Sequence, residues 1–220
     1  MTDPRPSTPD VVLPVLDEAA AIPGVLASLP DGWTAIVIDN GSTDGSADIA
    51  RRLGARVVYE PQRGFGAACA AGLHAARADI VCFMDCDGSL DGAALPRMVA
   101  PIVAGTTDLM LGTRHATPGS WPLHLRIANR SLARRVNQRY GTRLTDLGPM
   151  RAARRVGLLE LGIRDRRSGW PLEMVLRAAD AGWCIDETSV EYRPRIGRSK
   201  VTGTLRGALR TVQDMRAVLA

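Results

Sequence analysis

The sequence predicts an α/β protein: a mainly parallel central sheet flanked by helices, with a C-terminal region that departs from simple alternation. Three observations predict it. Strand-like and helix-like segments alternate from residue 11 to residue 83, the pattern of parallel strands joined by helical crossovers. The strand-like segments of this half end in acids, at Asp17-Glu18, at Asp39 and at Asp85/Asp87. The short apolar run Ile80, Val81, Cys82, Phe83, Met84 stops abruptly at Asp85-Cys86-Asp87-Gly88, so it reads as a buried strand opening into a loop.

Residues 11–13 form the first strand, closed by Pro14. Asp17 and Glu18 precede a helix over 19–29, where acids suit the positive end of the helix dipole. Pro30-Asp31-Gly32 is a turn, 34–38 a second strand ending at Asp39, and 46–53 a helix stopped by Gly54. Residues 56–59 form a third strand, and Gly64-Phe65-Gly66 leads into an alanine-rich helix over 67–76. After Asp91 the order loosens. A helix is expected at 95–104, a strand at 108–112, a long basic helix at 123–139 and another helix at 172–181. Short strands follow near Cys184-Ile185 and at 190–192, then a basic loop over 193–200 and a final amphipathic helix over 203–219.

The chain's 220 residues suffice for one large domain or two small ones, and nearly half are apolar, so the protein is globular. No apolar run is long enough to span a membrane. The polar, proline-rich N-terminus lacks the basic-then-apolar order of a signal peptide, which predicts the cytoplasm. The cysteines Cys69, Cys82, Cys86 and Cys184 make no CxxC pair and no zinc spacing, so they read as reduced, mostly buried thiols. The formal charge of +5 is uneven, with arginines crowding in from Arg114 onward. A basic half points to anionic partners: phosphates, nucleic acid or a membrane surface.

Residues two apart on an extended segment point the same way, so Asp85 and Asp87 would converge just past the strand. Paired carboxylates suit a hard divalent cation, Mg²⁺ or Mn²⁺, which brings substrate phosphates with it. The alternative is that both acids tighten a turn before Gly88. Asp39 can accept hydrogen bonds from a ribose or base edge, or close an Asx-turn with Gly41. Gly64-x-Gly66 has part of a dinucleotide fingerprint, but its third small position is Cys69 and its unit is third in order. A tight strand-to-helix turn is the preferred reading. Arg126, Arg130 and Arg134 share a helix face, either solvated or facing phosphate. Arg193, Arg195, Arg198 and Lys200 crowd around Gly197 and repel one another unless an anion joins them. Acids for metal and nucleoside, with cations for phosphates, make a nucleotide-diphosphate site.

The ordered set Pro14-Val15-Leu16-Asp17-Glu18, Asp39-Asn40-Gly41-Ser42-Thr43-Asp44, Gly64-Phe65-Gly66 and Asp85-Cys86-Asp87 resembles family 2 glycosyltransferases of the GT-A fold, a Rossmann-like architecture. Gly112-Thr113-Arg114, Asp146-Leu147-Gly148 and the segment from Arg195 to Lys200 are similar to the dolichyl- or polyprenyl-phosphate sugar synthase branch. The resemblance implies one domain, with residues 11–91 as nucleotide-sugar half and 92–220 as acceptor-side half. It implies that Pro14, Glu18 and Asp39 hold the nucleoside and that Asp85 and Asp87 hold the metal and diphosphate. Arg114 and Arg126 would face the acceptor phosphate, and Arg195, Ser199 and Lys200 would close over the donor diphosphate. Leu16, Asn40 and Ser89 stand where an aromatic, a second aspartate and a glutamine are common.

The implied reaction is in-line displacement, with inversion, at the anomeric carbon of a UDP-glucose- or GDP-mannose-type donor. Asp87 and Arg195 would serve catalysis by stabilising the departing diphosphate. A polyprenyl-phosphate acceptor arrives ionised and needs no base. A hydroxyl acceptor needs one, and Glu173 is the candidate, with Asp146 second. Glu173 can equally be a first-turn helix acid. The expected setting is cytoplasmic with no nucleic-acid partner; the basic helix and the final amphipathic helix could rest on an anionic membrane face, or the last helix could simply pack on the core. A sugar nucleotidyltransferase is the rival enzyme, but the stretch 13–21 is acidic and lacks that class's glycine-rich basic loop. A nucleic-acid-binding module would leave the acidic strand ends unexplained.

Overall fold

A computed structural model of the chain describes residues 8–197. The expected helix over 203–219 and the loop residues Arg198, Ser199 and Lys200 lie outside the described residues.

The strands are β1 (Asp10–Val15), β2 (Thr34–Asp39), β3 (Arg56–Tyr59), β4 (Ile80–Phe83), β5 (Leu109–Ala116), β6 (Arg151–Arg154) and β7 (Ile185–Tyr192). They form one sheet in the order β3-β2-β1-β4-β6-β5-β7. β6 runs antiparallel to both its neighbours, β4 and β5, while the other pairings are parallel. The expected mainly parallel sheet is therefore present. The helices are α1 (Ile22–Ala27), α2 (Ser46–Arg52), α3 (Phe65–Ala75), α4 (Leu95–Val103), α5 (Leu123–Tyr140), α6 (Arg155–Glu160) and α7 (Trp170–Asp180).

Alternation along the strands divides the core between the two faces of the sheet. Val11, Leu13 and Val15 of β1 join Ile22 and Val25 of α1, Ala50 of α2 and Met98 and Ile102 of α4. Val12 points the other way, into a cluster with Leu73 of α3, Val136 of α5, Leu158 of α6 and Trp170 and Val175 of α7. Burial on both faces explains why β1, β2 and β4 read as continuous apolar runs.

The structure departs from the sequence reading in four places. β6 and α6 were not expected. The helix expected over 19–29 is only Ile22–Ala27. The two short strands expected near Cys184 and Val190 are one strand, Ile185–Tyr192. β5 runs on to Ala116 because all eight of its residues pair with β7. No helix among the described residues is long and apolar enough to cross a membrane.

The strand order positions the site. The chain builds outward from β1 through β2 to β3, then returns to place β4 on the other side of β1. The crevice outside the carboxyl ends of β1 and β4 is the topological switch point, where open α/β sheets bind ligands.

Candidate active site

β4 delivers Asp85 and Asp87 to that crevice. The chain leaves the ladder after Phe83 and bends through 86–90 instead of staying extended. Asp87 is 2% exposed, and its Oδ1 accepts a hydrogen bond from the Ser89 amide at 2.9 Å. It therefore closes its own turn, and its charge still reaches Asp85. The Asp85 carboxyl is pushed up to about 7, first by burial and then by the charge of Asp87, with Arg195, Arg114 and Arg151 pulling in the other direction. Burial and the neighbouring Asp87 charge both penalise an ionised Asp85, and a divalent cation would relieve both, so the pair fits one. No cluster of three His, Cys, Asp or Glu side chains among the described residues could hold a metal alone. Further coordination would have to come from water and substrate phosphates, the usual habit of Mg²⁺.

The loops after β1 and β2 are laced together beside this pair. Ser42 Oγ accepts from the Asp17 amide at 3.0 Å, and Asp17, at φ 53°, accepts from the Thr43 amide at 2.7 Å. Ser46 Oγ accepts from the Glu18 amide and Asp44 from the Ala19 amide, both at 2.9 Å. These bonds tie the segment 17–19 to the loop after β2, and the regular helix begins only at Ile22. Pro14 stays within β1, and Glu18 sits half-buried at the crevice edge. Asp39 is buried at the end of β2 and closes a turn with the Ser42 amide at 2.9 Å, one residue beyond the expected Gly41. Asn40 donates to the Glu60 and Gln62 carbonyls and accepts from the Gly64 amide, all at 2.8 Å. An aspartate could not make both donations, which gives Asn40 a structural reason.

The Gly64-Phe65-Gly66 turn binds the chain's own backbone. The Gly66 and Ala67 amides donate to the Arg167 and Arg166 carbonyls at 2.9 Å. A Cβ at Gly66 would lie 2.6 Å from the Asp165 carbonyl and 2.8 Å from Trp170 Cβ. The turn is a packing joint with the loop before α7, as preferred over a dinucleotide fingerprint.

Arg195 lies over Asp87. Its guanidinium donates to Asp87 Oδ2, the Ile196 amide donates to the Asp87 carbonyl at 2.8 Å, and the Arg193 amide donates to the Ser89 carbonyl at 2.9 Å. Mutual repulsion predicts an open loop when no ligand is bound. The described part is instead seated, because Asp87 supplies the anion.

A second recess opens on the β5–α5 side. It encloses about 370 Å³ and is lined by Arg114, His115, Trp121, Leu123, Arg126, Ile127, Asn129, Arg130 and Asp146, among others. Arg114 meets Asp146 through a two-pronged pair, Nε to Oδ2 at 2.9 Å and Nη2 to Oδ1 at 2.6 Å. Its guanidinium carbon stacks 3.6 Å from the Trp121 ring centroid, with Tyr192 at 5.6 Å. Asn129 donates to Asp146 at 2.8 Å, and the Asp146 amide donates to Glu187 at 3.0 Å. A Cβ at Gly148 would overlap the Gly112 carbonyl, so these paired glycines let the Asp146 loop lie against β5. The structure thus brings Arg114, Arg126 and Asp146 together, and adds Trp121, Asn129 and Arg130 to them.

Glu173 is spent elsewhere. Its carboxylate accepts from the Arg164 amide at 3.0 Å, from the Asp165 amide at 2.6 Å and from Arg177 Nε at 2.6 Å. Burial alone would raise its pKa, but the two amides and Arg177 outweigh that and hold it below the ordinary value. In this structure Glu173 clamps the loop before α7, in line with the structural alternative to a general base. Sequence reading missed Arg151, 1% exposed beneath the site. It donates to the carbonyls of Gly148 at 3.0 Å, Leu147 at 3.3 Å and Pro171. Burial lowers its pKa to about 10. Nothing in Arg151-Ala152-Ala153-Arg154 signals a core strand, so no local pattern could have found it.

Residues 10–162 match the sequence profile of Glycosyl transferase family 2. The chain belongs to that family. This glycosyltransferase is 46% identical over 212 residues to an uncharacterized glycosyltransferase of Mycobacterium tuberculosis, covering 96% of this chain and 97% of that one. It is 32% identical over 204 residues to the dolichyl-phosphate hexose transferase of Haloferax volcanii, covering 90% of this chain and 88% of that one. Among solved structures, it resembles glucosyl-3-phosphoglycerate synthase from Mycobacterium tuberculosis in complex with Mn²⁺, uridine-diphosphate and phosphoglyceric acid. The TM-score is 0.77 at 26% identity, over 96% of this chain and 77% of that one. The fold of this glycosyltransferase is therefore GT-A.

Proposed function

We propose that this glycosyltransferase is a metal-dependent, inverting enzyme that moves a hexose from a nucleotide-diphosphate sugar to a polyprenyl phosphate. The carrying observation is the pairing of two unlike sites. An acid pair stands at the switch point, and beside it lies an arginine-lined recess with apolar groups at its rim. Asp85 and Asp87 would hold Mg²⁺ or Mn²⁺ and, through it, the donor diphosphate. Pro14, Glu18 and Asp39 would hold the nucleoside, and Arg195, with Ser199 and Lys200, the diphosphate. Arg114, Arg126 and Arg130 suit a phosphate, and Leu123, Ile127 and Trp121 suit the apolar chain attached to it. Residues 11–91 would serve the donor and 92–220 the acceptor.

The engaged carboxylates support a phosphate acceptor. Asp146 is held by Arg114 and Asn129, and Glu173 by two amides and Arg177, so neither is placed to take a proton. A lipid phosphate, with a second pKa of ~6, is largely ionised at neutral pH and attacks without one. The metal supplies Lewis-acid stabilisation of the leaving diphosphate. The complexes of glucosyl-3-phosphoglycerate synthase with Mn²⁺ and UDP and the name of the Haloferax relative support the donor and acceptor classes. Such an acceptor lies in a membrane, so the enzyme would act peripherally at its cytoplasmic face.

The test is transfer from UDP-glucose and GDP-mannose to three acceptors: polyprenyl phosphate, 3-phosphoglycerate and a polyprenol lacking the phosphate. Each is run with Mn²⁺, with Mg²⁺ and with EDTA. Metal-dependent product on polyprenyl phosphate alone is expected. Product on 3-phosphoglycerate alone would overturn the lipid acceptor, and turnover in EDTA would overturn the metal.

A further inference from the structure

We infer that the exposed face of α5 is a docking surface for an anionic lipid bilayer, and that it delivers the mouth of the arginine-lined recess to the plane of the membrane. The inference rests on the lipid-phosphate reading above and names the surface by which that acceptor is met.

α5 runs Leu-His-Leu-Arg-Ile-Ala-Asn-Arg-Ser-Leu-Ala-Arg-Arg-Val-Asn-Gln-Arg-Tyr from Leu123 to Tyr140, with five arginines and no carboxylate. Its core contact is narrow, since only Ala133 and Val136 are fully buried. The opposite face should be purely polar if it met only water. Instead Leu123 is 68% exposed and Ile127 62% exposed, among the largest exposures of apolar side chains in the described residues. At 100° per residue, Leu123, Ile127 and Arg134 fall on one line, with Arg126 and Arg130 along its flank, and all five are exposed. Apolar side chains interleaved with arginines, without an acid to repel phosphate, match a leaflet surface. The aliphatic groups enter the headgroup boundary while the guanidinium groups meet lipid phosphates.

Continuity with the recess is the second argument. Leu123, Arg126, Ile127 and Arg130 also line its wall. A phosphate anchored in the bilayer by its chain would thus enter beside the helix that touches the bilayer. Nucleic acid would use the arginines but has no use for an exposed leucine and isoleucine at the centre of the face.

The test is sedimentation of the full chain with vesicles of phosphatidylcholine alone and of phosphatidylcholine with phosphatidylglycerol in equal parts. Binding only to the anionic vesicles is expected. Arg134 does not line the recess, and each basic residue near an anionic surface is worth about fivefold in affinity. Arg134→Glu should therefore weaken vesicle binding by about tenfold or more. It should leave transfer to a water-soluble, short-chain polyprenyl phosphate unchanged. Leu123→Ser with Ile127→Ser should weaken vesicle binding but not binding to duplex DNA. Unaltered vesicle binding in all these variants would overturn the surface. Duplex DNA bound as tightly as vesicles, with the serine variants without effect, would overturn it in favour of a nucleic-acid face. The two readings fail separately. Vesicle binding without transfer to polyprenyl phosphate removes the acceptor and keeps the surface. Transfer to the short-chain acceptor with no vesicle binding removes the surface and keeps the acceptor.

Discussion

Asp87 divides its carboxylate between the Ser89 amide and the Arg195 guanidinium, and a metal must compete with the second of these. Two outcomes follow for Arg195→Ala. Metal alone should bind several-fold more tightly, because the internal cation is gone. Transfer should slow by about 10²–10³ in kcat, the usual loss when one donor to a developing negative charge is removed, with KM for the donor less affected. Manganese titration followed by electron paramagnetic resonance, together with steady-state kinetics, checks both. Asp87→Ala should abolish transfer in the same assay. Asp85 adds a pH dependence. With its pKa at about 7 in the metal-free protein, metal must displace a proton below that value. Metal affinity should then fall by about tenfold per pH unit on the acid side. The same titration one unit above and one unit below that pKa checks the sign. Equal affinities would place the metal elsewhere.

Glu173 joins α7 to the loop that meets Gly66, and its expected effect is therefore on stability. Glu173→Gln removes charge from bonds to the Arg164 and Asp165 amides and to Arg177. It should cost about 0.5–1.5 kcal/mol, the usual net worth of a hydrogen bond, because these donors are only part-buried. The residual kcat should stay within a few-fold of the parent. The depressed pKa sets the direction with pH. Its contribution to stability is complete above the ordinary carboxylate range and is lost as the pH falls through the lower folded value. Urea unfolding of parent and variant should therefore converge in acid. Gly66→Ala tests the same joint from the other side. Its Cβ would press on the Asp165 carbonyl and Trp170, and overpacking of this kind costs about 1–3 kcal/mol. A drop in melting temperature is the expected readout. The Gly-x-Gly signal was legible as a turn, but its partner loop was not, since about a hundred residues separate them in the chain.

The two recesses share one sheet, so ligand at the proposed donor crevice should stabilise the whole domain. Saturating UDP with Mn²⁺ at about a hundred times the dissociation constant should raise unfolding free energy by about 2.7 kcal/mol. UDP with EDTA should raise it much less. Scanning calorimetry of the protein with UDP and Mn²⁺, and with UDP and EDTA, separates a metal-bridged diphosphate from one held by arginines alone.

What the sequence determined by itself was local: the alternation of elements, the acids at the carboxyl ends of β1, β2 and β4, and the turn at Gly64. Such features are set by periodicity, by strand propensity and by turn residues a few positions apart. The tertiary structure alone decided the rest. It made a strand of Arg151–Arg154, whose sequence has no strand signal, by offering edges of β4 and β5 on either side. It buried Arg151 beneath the site, because carbonyls of Gly148, Leu147 and Pro171 converge there. It set Asp146 against Arg114, 32 residues away, and Arg195 against Asp87, 108 residues away. Charges of either sign can be read along a chain, but which of them neutralise one another depends on distances that only packing creates. The choice between a free catalytic carboxylate and a structural clamp was therefore closed to sequence reading.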